Sequence, residues 1–85
     1  MDMDWRKYIS VDPEVCHGKP CFKGTRIMVS AVLEFLEAGQ PFREIKAAYP
    51  RLTRSHVQAA LQFARESVES GRSYVFRLAR HAVSH

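Results

Sequence analysis

The sequence predicts a mainly α-helical domain. Three short helices stand in helix-turn-helix order, preceded by a short N-terminal β pair and followed by an extra C-terminal helix. Three observations carry this. Apolar residues recur at helical spacing through residues 29–36, 45–49 and 57–68. Each of these stretches is punctuated where helices start or stop, by Gly39, Pro41, Pro50 and Gly71. Ahead of them, residues 8–11 and 25–29 are rich in β-branched side chains and flank a loop that contains glycine and proline.

Residues 8–11, Tyr-Ile-Ser-Val, read as the first strand, ended by the turn initiator Asp12-Pro13. Residues 25–29, Thr-Arg-Ile-Met-Val, read as its antiparallel partner. Between them the run CHGKPCFKGTRI, residues 16–27, packs two cysteines, a histidine, two glycines, a proline and three cations into twelve residues. A structural zinc site needs four ligands, commonly in two close pairs. Here Cys16 and Cys21 form one pair, and His56, His81 and His85 lie far off at no metal-binding spacing. A phosphate loop would place GxxxxGK[ST] between strand and helix, whereas this Gly-Lys is followed by Pro20, which has no N–H to donate. A Cys16–His17 nucleophile pair fails because adjacent side chains point apart and no third residue orients the base. The run therefore reads as architecture, with no catalytic, cofactor or metal role. Gly18 and Gly24 supply positive φ, Pro20 stiffens the loop and the thiols act as small apolar groups. Thr25 and Arg26 hold the loop by side-chain bonds, Arg26 pairing with an acid of the first segment. Lys19 and Lys23 stand outside.

In the first helix Val29, Val32, Leu33 and Leu36 fall at i, i+3, i+4 and i+7, with Glu34 and Glu37 turned outward. Ser30 serves as N-cap and Gly39 as the C′ glycine. The second helix starts at Pro41, carries Ile45, Ala48 and Tyr49 inward and stops at Pro50. Thr53 caps the third, whose apolar stripe is Val57, Ala60, Leu61, Ala64 and Val68; Gly71 closes it. His56 reads as a surface residue of its first turn. Residues 42–66 have helix-turn-helix spacing, in which the second helix enters a major groove. Three helices around one core that bind no DNA share that periodicity.

At 85 residues and 46% hydrophobic, the chain reads as one small domain, residues 1–71, with a basic tail, residues 72–85. No apolar run approaches the length of a membrane span, and the start MDMDWRKYIS has no secretory pattern. Two cysteines in such a chain read as reduced thiols, which points to the cytoplasm. The net charge of +4 is segregated: residues 16–30 and 71–85 each carry three cations and no acid. Such blocks suit an anionic partner, either nucleic acid or an acidic protein surface, and a solvated basic face has the same composition. In the tail, Val75, Leu78, Ala79 and Ala82 share one helical face, with Arg77, Arg80 and His81 elsewhere around it. It suits either packing on its own domain as a fourth helix or docking on a partner.

Residues 9–39, ISVDPEVCHGKPCFKGTRIMVSAVLEFLEAG, and residues 49–64, YPRLTRSHVQAALQFA, carry the motifs GKPC-x-x-GTRI and YP-x-LT. In these the chain resembles a small prokaryotic family catalogued as a domain of unknown function and regarded as antitoxin-like, of the VapB type. The chain departs from the family pattern at Met28, where Pro is common, and at Gln40-Pro41, where Ser-Pro is common. The resemblance implies a homeodomain-like helix-turn-helix fold. It also implies a cytoplasmic, non-enzymatic antitoxin that inhibits a PIN-like ribonuclease toxin and, as a homodimer, represses its own operator DNA. On that reading Arg51, Thr53, Arg54, Ser55 and Gln58 face DNA, with Arg54 or Gln58 reading base edges and Thr53 and Ser55 touching phosphates. Tyr74, Phe76, Arg77, Leu78, Arg80 and His81 of the tail are the expected toxin contacts, an assignment that extends beyond the resembling residues. The alternative is a stand-alone DNA-binding regulator.

Overall fold

The computed structural model describes residues 3–70. It is mainly helical: α1 (Val29–Glu37), α2 (Phe42–Ala48) and α3 (Arg54–Glu69), with a two-stranded antiparallel sheet of β1 (Ile9–Ser10) and β2 (Cys21–Phe22). Ile9 pairs with Phe22 and Ser10 with Cys21. The expected extra C-terminal helix, the Gly71 expected to close the third helix and the 71/72 domain boundary lie outside the described residues.

The second strand is not where its β-branched residues placed it. It lies inside the loop, at Cys21–Phe22, and residues 25–29 contribute a single bridge, Cys21 to Met28. The cause is a tight turn. Thr25 N–H donates to the Phe22 carbonyl at 3.1 Å with Gly24 at φ +76°, so the chain doubles back at once. Phe22 N–H then bonds the Ile27 carbonyl, and Val29 N–H bonds that of Pro20. With Val29 consumed as the first residue of α1, nothing remains to extend a strand. The loop's other bend is less ordinary. Cys16, His17 and Gly18 all take positive φ, at 52°, 56° and 80°, in one short 3-10 turn. For the two non-glycine residues this costs about 1–2 kcal/mol each.

Met28, not Ser30, is the N-cap of α1, and Pro41 is the N-cap of α2 rather than its first helical residue. Extended ψ at both positions marks the change of direction, two residues earlier than side-chain preference suggests for α1 and one residue later for α2. The end of α1 is as expected. Gly39 takes φ +76°, its N–H donates to Leu36 and that of Gln40 to Phe35, a Schellman closure.

The core joins Ile9 and Phe22 of the sheet to Val29 and Val32 of α1, Ile45 of α2, Leu52 of the α2–α3 link and Ala59, Ala60 and Phe63 of α3. Phe22, Ile45 and Leu52 are fully buried, each contributing roughly 1.5–3 kcal/mol. Tyr49 is half-buried against this core, but Ala48 is exposed.

The buried face of α3 differs from the expected stripe. Ala59, Ala60, Phe63 and Ser67 are inside, whereas Leu61 and Val68 are 50% and 69% exposed. Trp5 explains the rotation. It sits in a 3-10 turn, Trp5–Lys7, that lies on α3, with its ring edge-on to Phe63 at 4.8 Å between centroids. Its indole N–H donates to Glu66 at 2.9 Å and its backbone N–H to Gln62 at 2.7 Å, while Gln62 Nε2 donates to the Met3 carbonyl. Ser67 satisfies its hydroxyl by donating to the Phe63 carbonyl.

Candidate nucleic-acid interface

The start of α3 is held from three sides. Leu52, buried just before it, anchors the link. Lys46 of α2 reaches over, its Nζ donating to the carbonyls of Pro50 at 2.7 Å and Leu52 at 3.2 Å. Thr53 stands at the N-cap in extended conformation, and His56, three residues on, closes the cap: the Thr53 N–H donates to His56 Nδ1 at 3.0 Å. This is the capping-box geometry, with an imidazole nitrogen in the place of a Glu or Gln oxygen.

His56 is thus not a plain surface residue. Its ring meets the edges of Tyr8 and Phe22, at 5.2 Å and 5.4 Å between centroids, and so joins the β1–β2 sheet to the first turn of α3. Burial pushes its pKa below the ordinary value, and the nearby Lys46 ammonium adds to this. The bond from Thr53 acts in the same sense, because Nδ1 must stay unprotonated to accept it. The neutral ring is the one that fits.

Of the residues expected at a DNA surface, Arg51, Thr53, Arg54 and Gln58 are exposed and Ser55 is half-buried. The structure brings all five to the link and the first turns of α3. The Arg54 guanidinium lies 4.5 Å over the Phe42 ring of α2, a stacking that steadies it without neutralising it. Arg51 borders the turn that follows β2. There an open groove of about 440 Å³ is lined by Ser10, Val15, Gly24, Thr25, Arg26 and Arg51. Among the described residues Arg26 makes no ion pair with the first segment; the ion pairs there are Arg6–Asp4 and Arg65–Glu69. The role expected of Thr25 is present: its hydroxyl donates to Phe22 O at 2.8 Å and accepts from Ile27 N–H.

The thiols tie the loop to this turn. Cys16 Sγ lies 3.7 Å from the Arg26 carbonyl and Cys21 Sγ 3.8 Å from that of Thr25. Burial pushes the Cys21 thiol up, with the neighbouring Cys16 thiol acting in the same direction. Both cysteines are free, and Lys19 and Lys23 are exposed. Among the described residues no three His, Cys, Asp or Glu side chains gather as a metal-ligand set, and no helix is long and apolar enough to cross a membrane.

Sequence reasoning missed three contributors here. The Thr53-x-x-His56 spacing was a legible signal for the cap, had an imidazole been admitted as the acceptor. Lys46 and Arg26 had no such signal, since each acts through contacts set by the fold. The expected toxin contacts Tyr74, Phe76, Arg77, Leu78, Arg80 and His81 lie outside the described residues.

A protein-family model described as "Protein of unknown function (DUF433)" matches residues 9–64, the span over which the sequence motifs run. No curated protein and no solved structure matches the chain.

Proposed function

We propose that this chain, which belongs to the DUF433 family, is the antitoxin of a type II toxin–antitoxin pair and binds operator DNA through the start of α3. One observation carries the DNA half of this reading. The exposed Arg51, Arg54 and Gln58 ride on a firmly capped helix start, with no ion pair to an acid among the described residues. The order α2, link, α3 suits a homeodomain-like helix-turn-helix, with α3 in the major groove. Arg54 or Gln58 then reads base edges while Arg51 and Thr53 contact phosphates. Ser55, half-buried, has the smaller share. Two copies bound as a homodimer would match an operator of two half-sites.

The toxin half rests on the family resemblance and on the charge of residues 72–85. PIN-like nucleases hold metal with clustered carboxylates, which Arg77 and Arg80 can pair with bidentately, excluding substrate. The protein itself acts without catalysis.

The deciding experiment is a tagged pull-down of the full chain from its native cells, with and without nuclease treatment. A small nuclease-like protein retained after treatment supports the antitoxin reading, and the double variant Arg77→Ala, Arg80→Ala should then lose neutralisation while staying folded. Recovery of nuclease-sensitive material alone favours the second reading, a stand-alone DNA-binding regulator. The cationic start of α3 favours that reading too, since it needs no protein partner.

A further inference from the structure

We infer that the groove between the β2 turn and the α2–α3 link is a phosphate clamp, in which Arg26 and Arg51 together hold a backbone phosphodiester of the bound nucleic acid. The inference rests on the DNA-binding reading above and adds to it a second contact surface, the turn that follows β2.

The groove is lined by two arginines twenty-five positions apart in sequence, Arg26 beyond the turn and Arg51 in the link. No acid lines it, and neither arginine has an ion-pair partner among the described residues. The turn adds further donors. Among the described residues the backbone N–H groups of Gly24 and Arg26 have no acceptor, whereas those of Phe22, Lys23, Thr25 and Ile27 all do. Gly24 has no side chain and no neighbour within 4 Å of where a Cβ would sit, so a ligand can approach the backbone closely. The Thr25 hydroxyl is already engaged on both sides and takes no part. A groove rich in donors and without acids selects a ligand that is all acceptors and negatively charged.

Phosphate meets that requirement, and two features favour a nucleic-acid backbone over a free phosphate ester. The groove is open to solvent rather than enclosed, so one anion alone would keep much of its hydration. It also adjoins the start of α3, with Arg51 two residues before the Thr53 cap, so the groove extends the cationic surface on which the DNA reading rests. Arg51 thereby becomes a positioning contact and carries no base preference.

The test measures binding of the full chain to mixed-sequence duplex DNA across a salt series, for the wild type and for Arg26→Ala, Arg51→Ala and Arg65→Ala. Arg65 is paired with Glu69 near the far end of α3 and serves as the control. Arg26→Ala and Arg51→Ala should each weaken binding about three- to tenfold, equally on every sequence, and flatten the log–log salt slope by about 0.9. Circular dichroism should show all variants folded, since the Arg26 and Arg51 side chains are exposed. Wild-type DNA binding that neither groove variant alters overturns the clamp and leaves the DNA reading standing. No DNA binding by the wild type overturns both. An equal loss in Arg65→Ala makes the effect one of net charge and overturns the clamp. Tight saturation of the groove by inorganic phosphate at matched ionic strength makes it a small-anion site, and loss of a protein partner with DNA binding unchanged makes it a protein contact; either result overturns the assignment.

Discussion

Protonating His56 should uncap α3 and loosen the sheet from it at the same time. The sign follows from linkage. The folded pKa of His56 lies below the ordinary 6.5 of an unfolded histidine, through burial first and the Lys46 charge second. Above the unfolded value both states carry a neutral ring, and its contribution to stability is complete. Between the unfolded and the folded values only the unfolded chain binds the proton, so stability falls as pH falls, with a limiting slope of about 1.4 kcal/mol per pH unit. Below the folded value the contribution is gone. The total loss should be of the order of the cap bond, about 1 kcal/mol, because much of the ring remains solvated and screening reduces the Lys46 contribution. Urea unfolding of the full chain, followed by far-UV circular dichroism from about pH 8 to about pH 5, reads the slope directly. The variant His56→Gln keeps an acceptor at the third helical position but cannot titrate. It should be about 1 kcal/mol less stable near neutral pH, through loss of the Tyr8 and Phe22 edge contacts, and its stability should lack the wild-type decline. If His56→Gln declines with pH as steeply as the wild type, the cap argument is wrong.

Lys46→Met removes the bonds to the Pro50 and Leu52 carbonyls and should cost about 1 kcal/mol in urea melts. It should also raise the His56 pKa part of the way to its ordinary value, read by NMR titration of the imidazole, with burial still holding it down. Trp5→Ala should cost about 3 kcal/mol, since a nearly buried indole leaves Phe63 and Glu66 without their partner. Trp5→Phe should recover most of that loss in the same melts, because the ring contact returns and the exposed side of Glu66 can hydrate. Gly39→Ala meets open space but forces alanine to φ +76°, so a loss of about 1 kcal/mol should appear with no change in the circular dichroism spectrum.

Much of the helical layout was legible. The spacing of Val29, Val32 and Leu33 against Glu34 and Glu37, the Schellman glycine at 39 and the Thr53 cap all act within one or two turns of chain, where periodicity and backbone preference decide the outcome. The β pair was legible only in its first half. Residues 25–29 have better strand formers than Cys21–Phe22, yet the turn at Gly24 and the early start of α1 gave the pairing to the latter. That is a tertiary override of a weak preference. The apolar stripe of α3 was displaced for a similar reason. Periodicity alone could not show that Trp5, nearly sixty residues upstream, would dock beside Phe63 and turn Leu61 and Val68 to solvent.

For the candidate interface the division is sharper. Local sequence determined that a capped helix would begin at Thr53 with Arg51, Arg54 and Gln58 around it, because caps and helical faces depend on near neighbours. Only the tertiary structure decided that His56 would close that cap while touching the sheet, that Lys46 would clamp the link, and that Arg26 and Arg51 would share a groove. Each of these depends on bringing together segments whose separation in the chain carries no periodic signal. The energy that sets their distance comes from the common burial of Phe22, Ile45 and Leu52 rather than from the charged residues themselves.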